Sequence, residues 1–230
     1  MINLTELKKQ AAEKAVEQIK SGMVVGLGSG STAYFAIKKI GELLQSGNLK
    51  NIVGIPTSNT TEELSISLGI PLASFENIQE IDLTIDGADE VDEELNLIKG
   101  GGGALLREKV VAQASKREII VVDESKISKQ LGEKWHVPVE VLKFSFQLEK
   151  RFLESLGASV VLRKADDGNP YVTDENNYIL DANFGIISSP GDLARKLEAR
   201  AGIVEHGLFI DLVSEIIVAS TTGIRIISKK

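Results

Sequence analysis

Short hydrophobic runs alternate with amphipathic segments along the first half of the chain. Runs rich in valine, isoleucine and leucine predict buried strands, and they lie at 23–27, 51–55, 81–85, 96–98 and 118–122. Apolar residues at helical spacing predict the segments between them to be helices, at about 4–19, 33–45, up to 68, and from 104 onward. Such alternation predicts a parallel sheet with right-handed crossovers.

The pattern changes near residue 130, where strands and helices no longer alternate one by one. Further strands are predicted at 137–142, 159–163, 171–173, 178–182 and 207–210, with helices at 146–156 and 192–201. A hairpin of 215–219 and 224–227 returns to the first sheet. We therefore predict a larger domain of residues 1–130 plus 207–230, with residues 131–206 inserted as a smaller α+β lobe.

Residues 82–108 combine several features that a ligand site needs. Asp86 and Asp89 follow the strand at 81–85, and Gly87 permits a sharp turn, so both aspartates are predicted to lie in a loop. Lys99 then opens a run of four glycines, 100–103, before the next helix. Without side chains, these glycines let a ligand approach the backbone N–H groups.

Glu108 lies early in that helix, on a face that we expect to be small and apolar. Helical spacing predicts that its nearest neighbours on the helix surface are Ala104, Leu105, Val111, Ala112 and Ser115. Lys109 and Gln113 are predicted to face solvent. Partial desolvation raises the pKa of a carboxyl group, which suits a general base, and a nearby Lys99 would moderate the effect.

A second glycine-rich turn, 26–30, separates a predicted strand from a helix and is followed by Ser31 and Thr32. This arrangement binds phosphate through backbone N–H groups at a helix N-terminus. It lacks the lysine of a P-loop and the third glycine of a dinucleotide fingerprint. The cluster at 57–61 is interpreted chiefly as a helix cap, and Lys126 is a further cation at a strand end.

Composition excludes several classes of function. The 230 residues include no cysteine and two histidines, so a thiolate zinc site and a cysteine nucleophile are excluded, and a Ser-His-Asp hydrolase is disfavoured. The net charge of −7 argues against a nucleic-acid surface. No apolar run is long enough to span a membrane, and the charged N-terminus is unlike a secretory signal. We expect a cytoplasmic protein.

Five motifs, in order, resemble those of the ribose-5-phosphate isomerase A family: GSGSTA at 28–33, TSN at 57–59, DGADEVD at 86–92, KGGGGALLREK at 99–109 and VVDESK at 121–126. The resemblance covers essentially the whole chain. Its one departure is the fourth glycine, Gly103, where an alanine is expected. The implied fold is α/β: a Rossmann-like parallel sheet domain with an inserted, smaller α+β (ferredoxin-like) lobe.

The resemblance also implies an activity, the interconversion of D-ribose 5-phosphate and D-ribulose 5-phosphate in the non-oxidative pentose phosphate pathway. Neither a cofactor nor a metal is expected, and the protein is expected to be a homodimer or homotetramer. Glu108 matches the family's proton acceptor, while Asp86, Asp89 and Lys99 are the other expected catalytic residues. The expected substrate-binding positions are Lys8, Ser29, Gly30, Ser31, Thr32, Asp86, Gly87, Ala88, Asp89, Lys99, Gly100, Gly101, Gly102 and Lys126.

Two other classes of protein remain as alternatives. A non-catalytic sugar-phosphate sensor of related fold would retain the phosphate loop but could dispense with Glu108, and it would usually carry a DNA-binding helix-turn-helix. An amino-sugar phosphate deaminase would be expected to use a histidine near the site. Neither His136 nor His206 lies in one of the motifs above.

Overall fold

The computed structural model describes residues 4–229. The chain divides into two compact units. The first comprises the described chain up to Ala88, the segment Arg107–Lys126 and the described chain from Leu212 onward. The second comprises Asp89–Leu106 and Ile127–Asp211.

The helices and strands follow in chain order. The helices are α1 (Leu4–Val16), α2 (Gly30–Gln45), α3 (Asn59–Ser67), α4 (Leu105–Gln113), α5 (Phe146–Ser155) and α6 (Pro190–Glu198). The strands are β1 (Val24–Leu27), β2 (Val53–Pro56), β3 (Leu83–Asp86), β4 (Glu90–Val91), β5 (Leu97–Ile98), β6 (Glu118–Asp123), β7 (Val137–Val141), β8 (Ser159–Leu162), β9 (Tyr178–Asn183), β10 (Ile203–His206), β11 (Leu208–Phe209), β12 (Glu215–Ser220) and β13 (Gly223–Ser228).

The first unit is built on a six-stranded sheet in the order β13-β12-β6-β3-β1-β2. All neighbouring strands pair in parallel except β12 and β13, which form the C-terminal antiparallel hairpin. The order of the parallel strands is that of a doubly wound sheet, in which the chain reverses its direction of travel between β1 and β3. The predicted fold class, α/β with a parallel central sheet, is confirmed.

Helices cover both faces of this sheet. One core joins α1 and α2 to the strands; its buried members include Leu7, Ala11, Ile37, Ile40, Val25, Leu83, Ile119 and Ile217. A smaller cluster on another part of the unit joins Val111 of α4 to Ile55 and Ile81. Full burial of an aliphatic side chain contributes about 1.5–3 kcal/mol, so the β-branched strand runs that predicted the sheet also stabilise it.

The second unit contains two antiparallel sheets. The larger has the order β10-β7-β9-β8, with α5 between β7 and β8 and α6 between β9 and β10. This is the βαββαβ order of the ferredoxin-like motif. The smaller has the order β11-β5-β4. Its strand β4 carries Glu90, a fully buried carboxylate that accepts hydrogen bonds from the N–H groups of Gly132, Lys134 and Trp135.

The units differ in three segments from the domains predicted from the sequence, because residues 89–106, 127–130 and 207–211 lie in the second unit and not with the larger domain. Residues 89–106 group with the second unit because β5 pairs with both β4 and β11, a strand of that unit. The predicted boundaries near 130 and 207 stay a prediction about folding domains. Residues 1–3 and 230 of the predicted larger domain lie outside the described part of the chain.

Several element predictions need correction. The strand predicted at 171–173 is reduced to an isolated bridge between Val172 and Tyr178, in a turn-rich segment. The strand predicted at 207–210 is the shorter β11, and β10, which ends just before Gly207, was not predicted. A Cβ at Gly207 would lie 2.3 Å from the carbonyl oxygen of Lys99, so this glycine allows the close approach of another backbone. Within residues 4–229 there is no helix long and apolar enough to cross a membrane.

Glu140 on β7 provides a test of the second unit's core. Its side chain is buried and accepts hydrogen bonds from Thr173 Oγ1 at 2.8 Å and Asn177 Nδ2 at 2.9 Å. Burial raises the pKa of Glu140 above its ordinary value of 4.5, although these two hydrogen bonds oppose the shift. The folded protein therefore holds this proton more tightly than the unfolded chain does.

Stabilisation from a raised pKa is present below the unfolded value and is lost as the pH rises through the folded value. Glutamine has no such proton to lose. We therefore predict that the free energy of unfolding of Glu140→Gln, relative to wild type, increases from about pH 4 to about pH 7. Urea unfolding at several pH values measures this difference. A difference that stays constant, as expected for the exposed control Glu63→Gln, would contradict the prediction.

Candidate active site

The carboxyl ends of β1 and β3 form the edge of the first unit's sheet at which this fold favours a ligand. These strands are neighbours and parallel, with Leu27 opposite Ile85. They lie at the point where the doubly wound order reverses, and ligands of such sheets bind outside the carboxyl ends of the strands there. The glycine turn after β1 and the DGAD segment after β3 therefore begin at the same edge.

Asp86 joins these two turns. Its Oδ1 atom accepts hydrogen bonds from the N–H of Ser29 at 3.0 Å and from the N–H of Gly87 at 2.7 Å. The residue was predicted to lie in a loop, but it is the last residue of β3 and has no exposed surface. These two backbone donors satisfy an oxygen atom that burial has removed from water.

The Ser29 hydroxyl lies in a cluster of four hydroxyl groups. Its Oγ is 2.7 Å from Thr57 Oγ1, 2.7 Å from Ser58 Oγ and 3.2 Å from Thr61 Oγ1. Thr57 and Thr61 donate to the carbonyl groups of Leu27 and Gly28, which ties the turn after β1 to the start of α3. Ser58 also caps α3 by accepting from the N–H of Thr61, which confirms the predicted cap.

This cluster leaves the first turn of α2 without a side-chain cap. Ser29 is the N-cap residue, yet its hydroxyl makes no capping hydrogen bond. Lys8 of α1 donates from Nζ to Ser31 Oγ at 2.9 Å, which brings a positive charge to the same helix end. A cavity of about 430 Å³ lies beside it, with Lys8, Gly30, Ser31 and Thr61 among its lining residues. Exposed N–H groups, a helix dipole and a lysine together favour an anion.

Glu108 lies in the first turn of α4 and is 6% exposed, so its predicted burial is confirmed. The prediction for Lys109 is wrong, because this lysine is also buried, at 5% exposure, whereas Val110 is exposed. Successive helical residues point about 100° apart, so the burial of both Glu108 and Lys109 means that protein atoms surround a wide part of α4. The presence of a charged side chain therefore did not show which face of the helix is exposed to solvent.

Three other predicted binding residues of the first unit are placed by short connections. Gly87 and Ala88 directly follow β3, and both are partly buried. Lys126 ends the 3₁₀ turn Glu124–Lys126 that follows β6, where it is also partly buried. β6 pairs with β3 in the parallel sheet, so Lys126 follows the carboxyl end of an adjacent strand.

In the second unit, Asp89 contacts the glycine run directly. Its Oδ2 atom accepts a hydrogen bond from the N–H of Gly101 at 2.7 Å. A Cβ at Gly101 would lie 2.6 Å from Asp89 Oδ1, so the close approach requires a glycine. Gly100 and Gly103 have positive φ values of 97° and 86°, and the Gly103 N–H bonds to the Gly100 carbonyl at 3.0 Å. The run is thus a defined turn.

Lys99 precedes this turn and is only 2% exposed. Its backbone N–H donates to the carbonyl of Gly207 at 2.9 Å, and its Nζ lies 5.5 Å from the centre of the Phe209 ring. Both partners belong to the β11 region of the second unit, where the ring face favours a cation. Lys99 is therefore a buried lysine whose amino group packs near an aromatic ring.

Sequence reasoning missed three residues that hold the glycine run. Arg163 donates from Nη1 to the carbonyls of Gly100 at 2.8 Å and Gly101 at 3.1 Å, and it pairs with Asp181. The third residue, Tyr171, donates from its hydroxyl group to the carbonyl of Gly102 at 3.2 Å.

Burial raises the pKa of Tyr171, so its hydroxyl remains a donor at neutral pH. These partners are more than sixty positions away from the glycines in the sequence, where no local pattern marks them. Their proximity to the glycine run becomes evident only when the pairing of β8 with β9 is known.

The described residues contain no group of three or more histidine, aspartate or glutamate side chains arranged to hold a metal ion. The N-terminus of α2, with Lys8 beside it, has the features of an anion-binding position. The first unit is thus a doubly wound α/β domain with a candidate anion-binding position at its switch point.

Comparison with known proteins identifies the family. The family model of ribose 5-phosphate isomerase A (phosphoriboisomerase A) matches residues 53–223. Ribose-5-phosphate isomerase A of Desulfatibacillum aliphaticivorans is 60% identical over 225 residues, covering 98% of both chains. Its counterpart from Chloroflexus aurantiacus is 51% identical, covering 96% of this chain and 93% of that protein. The chain belongs to the ribose 5-phosphate isomerase A family.

Solved structures agree with this assignment. A D-ribose-5-phosphate isomerase in complex with phospho-erythronic acid superimposes with a TM-score of 0.97 at 39% identity, covering 99% of this chain and all of that one. The ribose 5-phosphate isomerase of Plasmodium falciparum gives a TM-score of 0.95 at 40% identity, covering 98% of this chain and 99% of that one.

The contact of Asp86 with the turn after β1 predicts which glycine is essential there. A Cβ at Gly28 would lie 2.3 Å from Asp86 Oδ1 and 2.6 Å from its Cα, so β1 and β3 would have to separate. We expect Gly28→Ala to lower the free energy of unfolding by about 3 kcal/mol, the upper range for overpacking. Chemical denaturation measures this loss.

Gly87→Ala is the matched control. The nearest atom to a Cβ at Gly87 is 3.9 Å away, and the backbone there has no positive φ. Its effect on stability should stay within about 1 kcal/mol. Equal stability of the two variants would show that the approach of Asp86 to this turn is not close in solution.

Proposed function

We propose that this protein is an aldose–ketose isomerase that interconverts D-ribose 5-phosphate and D-ribulose 5-phosphate in the non-oxidative pentose phosphate pathway. One observation carries the proposal. The residue that matches the family's proton acceptor, Glu108, is almost fully buried on the helix that follows the glycine run. A buried carboxylate is a stronger base than a solvated one.

The proposed chemistry is a proton transfer between adjacent carbons. In the open-chain aldose, the Glu108 carboxylate removes the proton from C2, a double bond forms between C1 and C2, and the negative charge develops on O1. The same carboxyl group then returns the proton to C1. The hydroxyl proton of O2 moves to O1 as the C2 carbonyl forms. One base therefore serves both carbons through a cis-enediolate.

The developing negative charge needs donors. Lys99 is proposed to supply a positive charge, and amides of the glycine run are proposed to supply hydrogen bonds, without a metal ion or cofactor. Fixed donors of this kind are usually the largest single contribution to catalysis, because they need no reorganisation during the reaction. The burial of Lys99 supports this role, since a charge acts more strongly in a desolvated site.

The phosphate is proposed to bind at the N-terminus of α2. Ser29, Gly30, Ser31 and Thr32 would bind it, with Lys126 and Lys8 supplying positive charge. The uncapped helix end and the hydrogen bond from Lys8 to Ser31 support this assignment. Binding energy from this remote group would then be available to the reacting carbons.

Asp86, Gly87, Ala88 and Asp89 are proposed to bind the sugar hydroxyls, and one of the two aspartates is proposed to help open the furanose ring. Asp86 Oδ1 already accepts two backbone hydrogen bonds, and Asp89 Oδ2 accepts one. A carboxylate can accept several hydrogen bonds at its two oxygens, so these backbone contacts are compatible with accepting from a substrate hydroxyl as well.

The solved relative bound to phospho-erythronic acid supports the substrate class. That ligand carries a phosphate at one end and a carboxylate at the other, and the two carboxylate oxygens resemble those of an enediolate. A non-catalytic sensor, the alternative function, would have no need of a buried glutamate on α4. We also propose that the protein is a cytoplasmic homodimer or homotetramer, which rests on the family resemblance.

The direct experiment mixes the purified protein with ribose 5-phosphate and EDTA and measures ketose formation. We expect ribulose 5-phosphate to form at the same rate with and without the chelator. Free ribose should be a much poorer substrate, because it lacks the phosphate that α2 is proposed to bind. No ketose in either condition would exclude the proposal, and activity restored only by a divalent ion would exclude its metal-free form.

Glu108→Gln tests the proposed base. Glutamine preserves the shape of the side chain but cannot accept the proton. We expect kcat to fall by a factor of about 10² to 10⁴, the usual contribution of a general base, with much smaller effects on KM and on folding. Glu63→Gln makes the same change at an exposed position of α3 and should leave kcat unchanged. Near wild-type kcat in Glu108→Gln would assign the base to another residue.

A further inference from the structure

The glycine run 100–103 is held by side chains on two sides. Asp89 accepts from the N–H of Gly101, as described above. On the carbonyl side, Arg163 Nη1 reaches the oxygens of Gly100 and Gly101, and the hydroxyl of Tyr171 reaches that of Gly102. Three successive carbonyls are thus directed toward one segment, which follows β8.

Peptide geometry then fixes the directions of the N–H groups. In a planar trans peptide the carbonyl and the N–H of the next residue point in opposite directions. Arg163 binds the Gly100 and Gly101 carbonyls, so the N–H groups of Gly101 and Gly102 point away from the guanidinium. The Gly101 N–H donates to Asp89 Oδ2.

Gly102 is an exposed residue, and its N–H has no hydrogen-bond acceptor among residues 4–229. This amide is therefore available to a ligand. It is a donor in position for an oxygen atom of a ligand.

Arg163 is itself held rigidly. Its Nε donates to Asp181 Oδ2 at 3.0 Å, and its Nη2 donates to Asp181 Oδ1. The pair is mostly buried, with side-chain exposures of 14% for Arg163 and 24% for Asp181. One edge of the guanidinium thus binds a carboxylate while Nη1 binds two carbonyls. Lysine cannot reproduce this planar fork of donors.

We propose that Arg163, fixed by Asp181, is a positioning residue that directs the Gly102 amide toward the oxygen on which negative charge develops. The inference rests on the proposed isomerase function, because it assigns the glycine run as a donor of hydrogen bonds to the enediolate. Arg163 acts through the backbone and does not touch the substrate. Its role is distinct from those of Lys99 and Glu108.

Arg163→Met removes the fork while retaining apolar bulk. Losing one direct donor to an oxyanion lowers kcat by about 10²- to 10³-fold, and misdirecting such a donor should lower kcat by about 10- to 100-fold. KM should change by less than about threefold, because the phosphate is proposed to bind at α2. Arg163→Lys should resemble Arg163→Met, since it retains the charge but not the geometry.

Arg200→Met is the matched control in the same unit. Arg200 forms the same kind of two-bond pair with the buried carboxylate of Glu149, at 3.0 and 3.2 Å, and stacks on Phe152. No contact joins it to the glycine run among the described residues. It should lose stability to a similar extent while its kcat at a temperature well below unfolding stays near that of wild type.

Amide hydrogen exchange gives a readout that does not depend on activity. In Arg163→Met, the Gly101 and Gly103 amides should exchange at least about tenfold faster than in wild type, because their hydrogen bonds to Asp89 and Gly100 depend on the geometry of the turn. Arg200→Met should leave these two rates unchanged. An unchanged exchange rate in Arg163→Met would overturn the proposal.

The outcomes separate this inference from the proposed function. A wild-type protein that makes no ketose refutes the isomerase function and with it the catalytic consequence. An active wild type with Arg163→Met at full kcat refutes the positioning role alone. Equal losses of kcat in Arg163→Met and Arg200→Met would assign the effect to general destabilisation and would also overturn the proposal.

Discussion

The carboxylate of Asp86 is the constraint on which the first unit's ligand edge depends. It is fully buried, and its Oδ1 atom binds the backbone of both the turn after β1 and the turn after β3. Removing one partner of a buried, charged hydrogen bond is expensive, since the other is left unsatisfied. The position of Ser29, and hence the start of α2, therefore follows from a residue at the end of a different strand.

A second aspartate organises the second unit's turn in a comparable way. Asp89 binds the backbone N–H of Gly101, while Arg163 and Tyr171 bind carbonyls of the same run. The two aspartates of the DGAD segment are three positions apart, yet each fixes the main chain of a different glycine turn. A Cβ at Gly28 would collide with both the side chain and the Cα of Asp86, whereas a Cβ at Gly101 would collide with the Asp89 carboxylate, which would have to move.

Much of the fold was predictable because strand runs and glycine turns are local signals. The strands at 118–122 and 215–219, for example, are continuous β-branched runs, and both are buried in the sheet. Predictions failed where burial overrides residue type. Lys109 was placed toward solvent because it is charged, and the strand β10 was missed because its residues Ile203–His206 mix polar and apolar positions.

In the candidate site, too, local motifs could be recognised from the sequence, whereas contacts between distant segments could not. Residues 29–32, 86–89 and 99–102 carry motifs that can be recognised from sequence, and they remain proposals as binding residues. The hydroxyl cluster around Ser29 and the pair of Arg163 with Asp181 depend on contacts between distant segments. No hydrophobic periodicity in the sequence predicts such contacts, because they depend on how the strands pair in the folded protein.

The central claim is that hydrogen moves between the two carbons as a proton carried by Glu108, and isotope exchange tests it most directly. Ribose 5-phosphate is converted by the wild-type protein in D₂O, and the carbons of both sugar phosphates are examined by NMR. A base that exchanges its proton with solvent should place deuterium on C2 of the aldose and C1 of the ketose. Conversion to equilibrium with neither carbon labelled would contradict the account, because it would indicate direct transfer of hydride between the carbons.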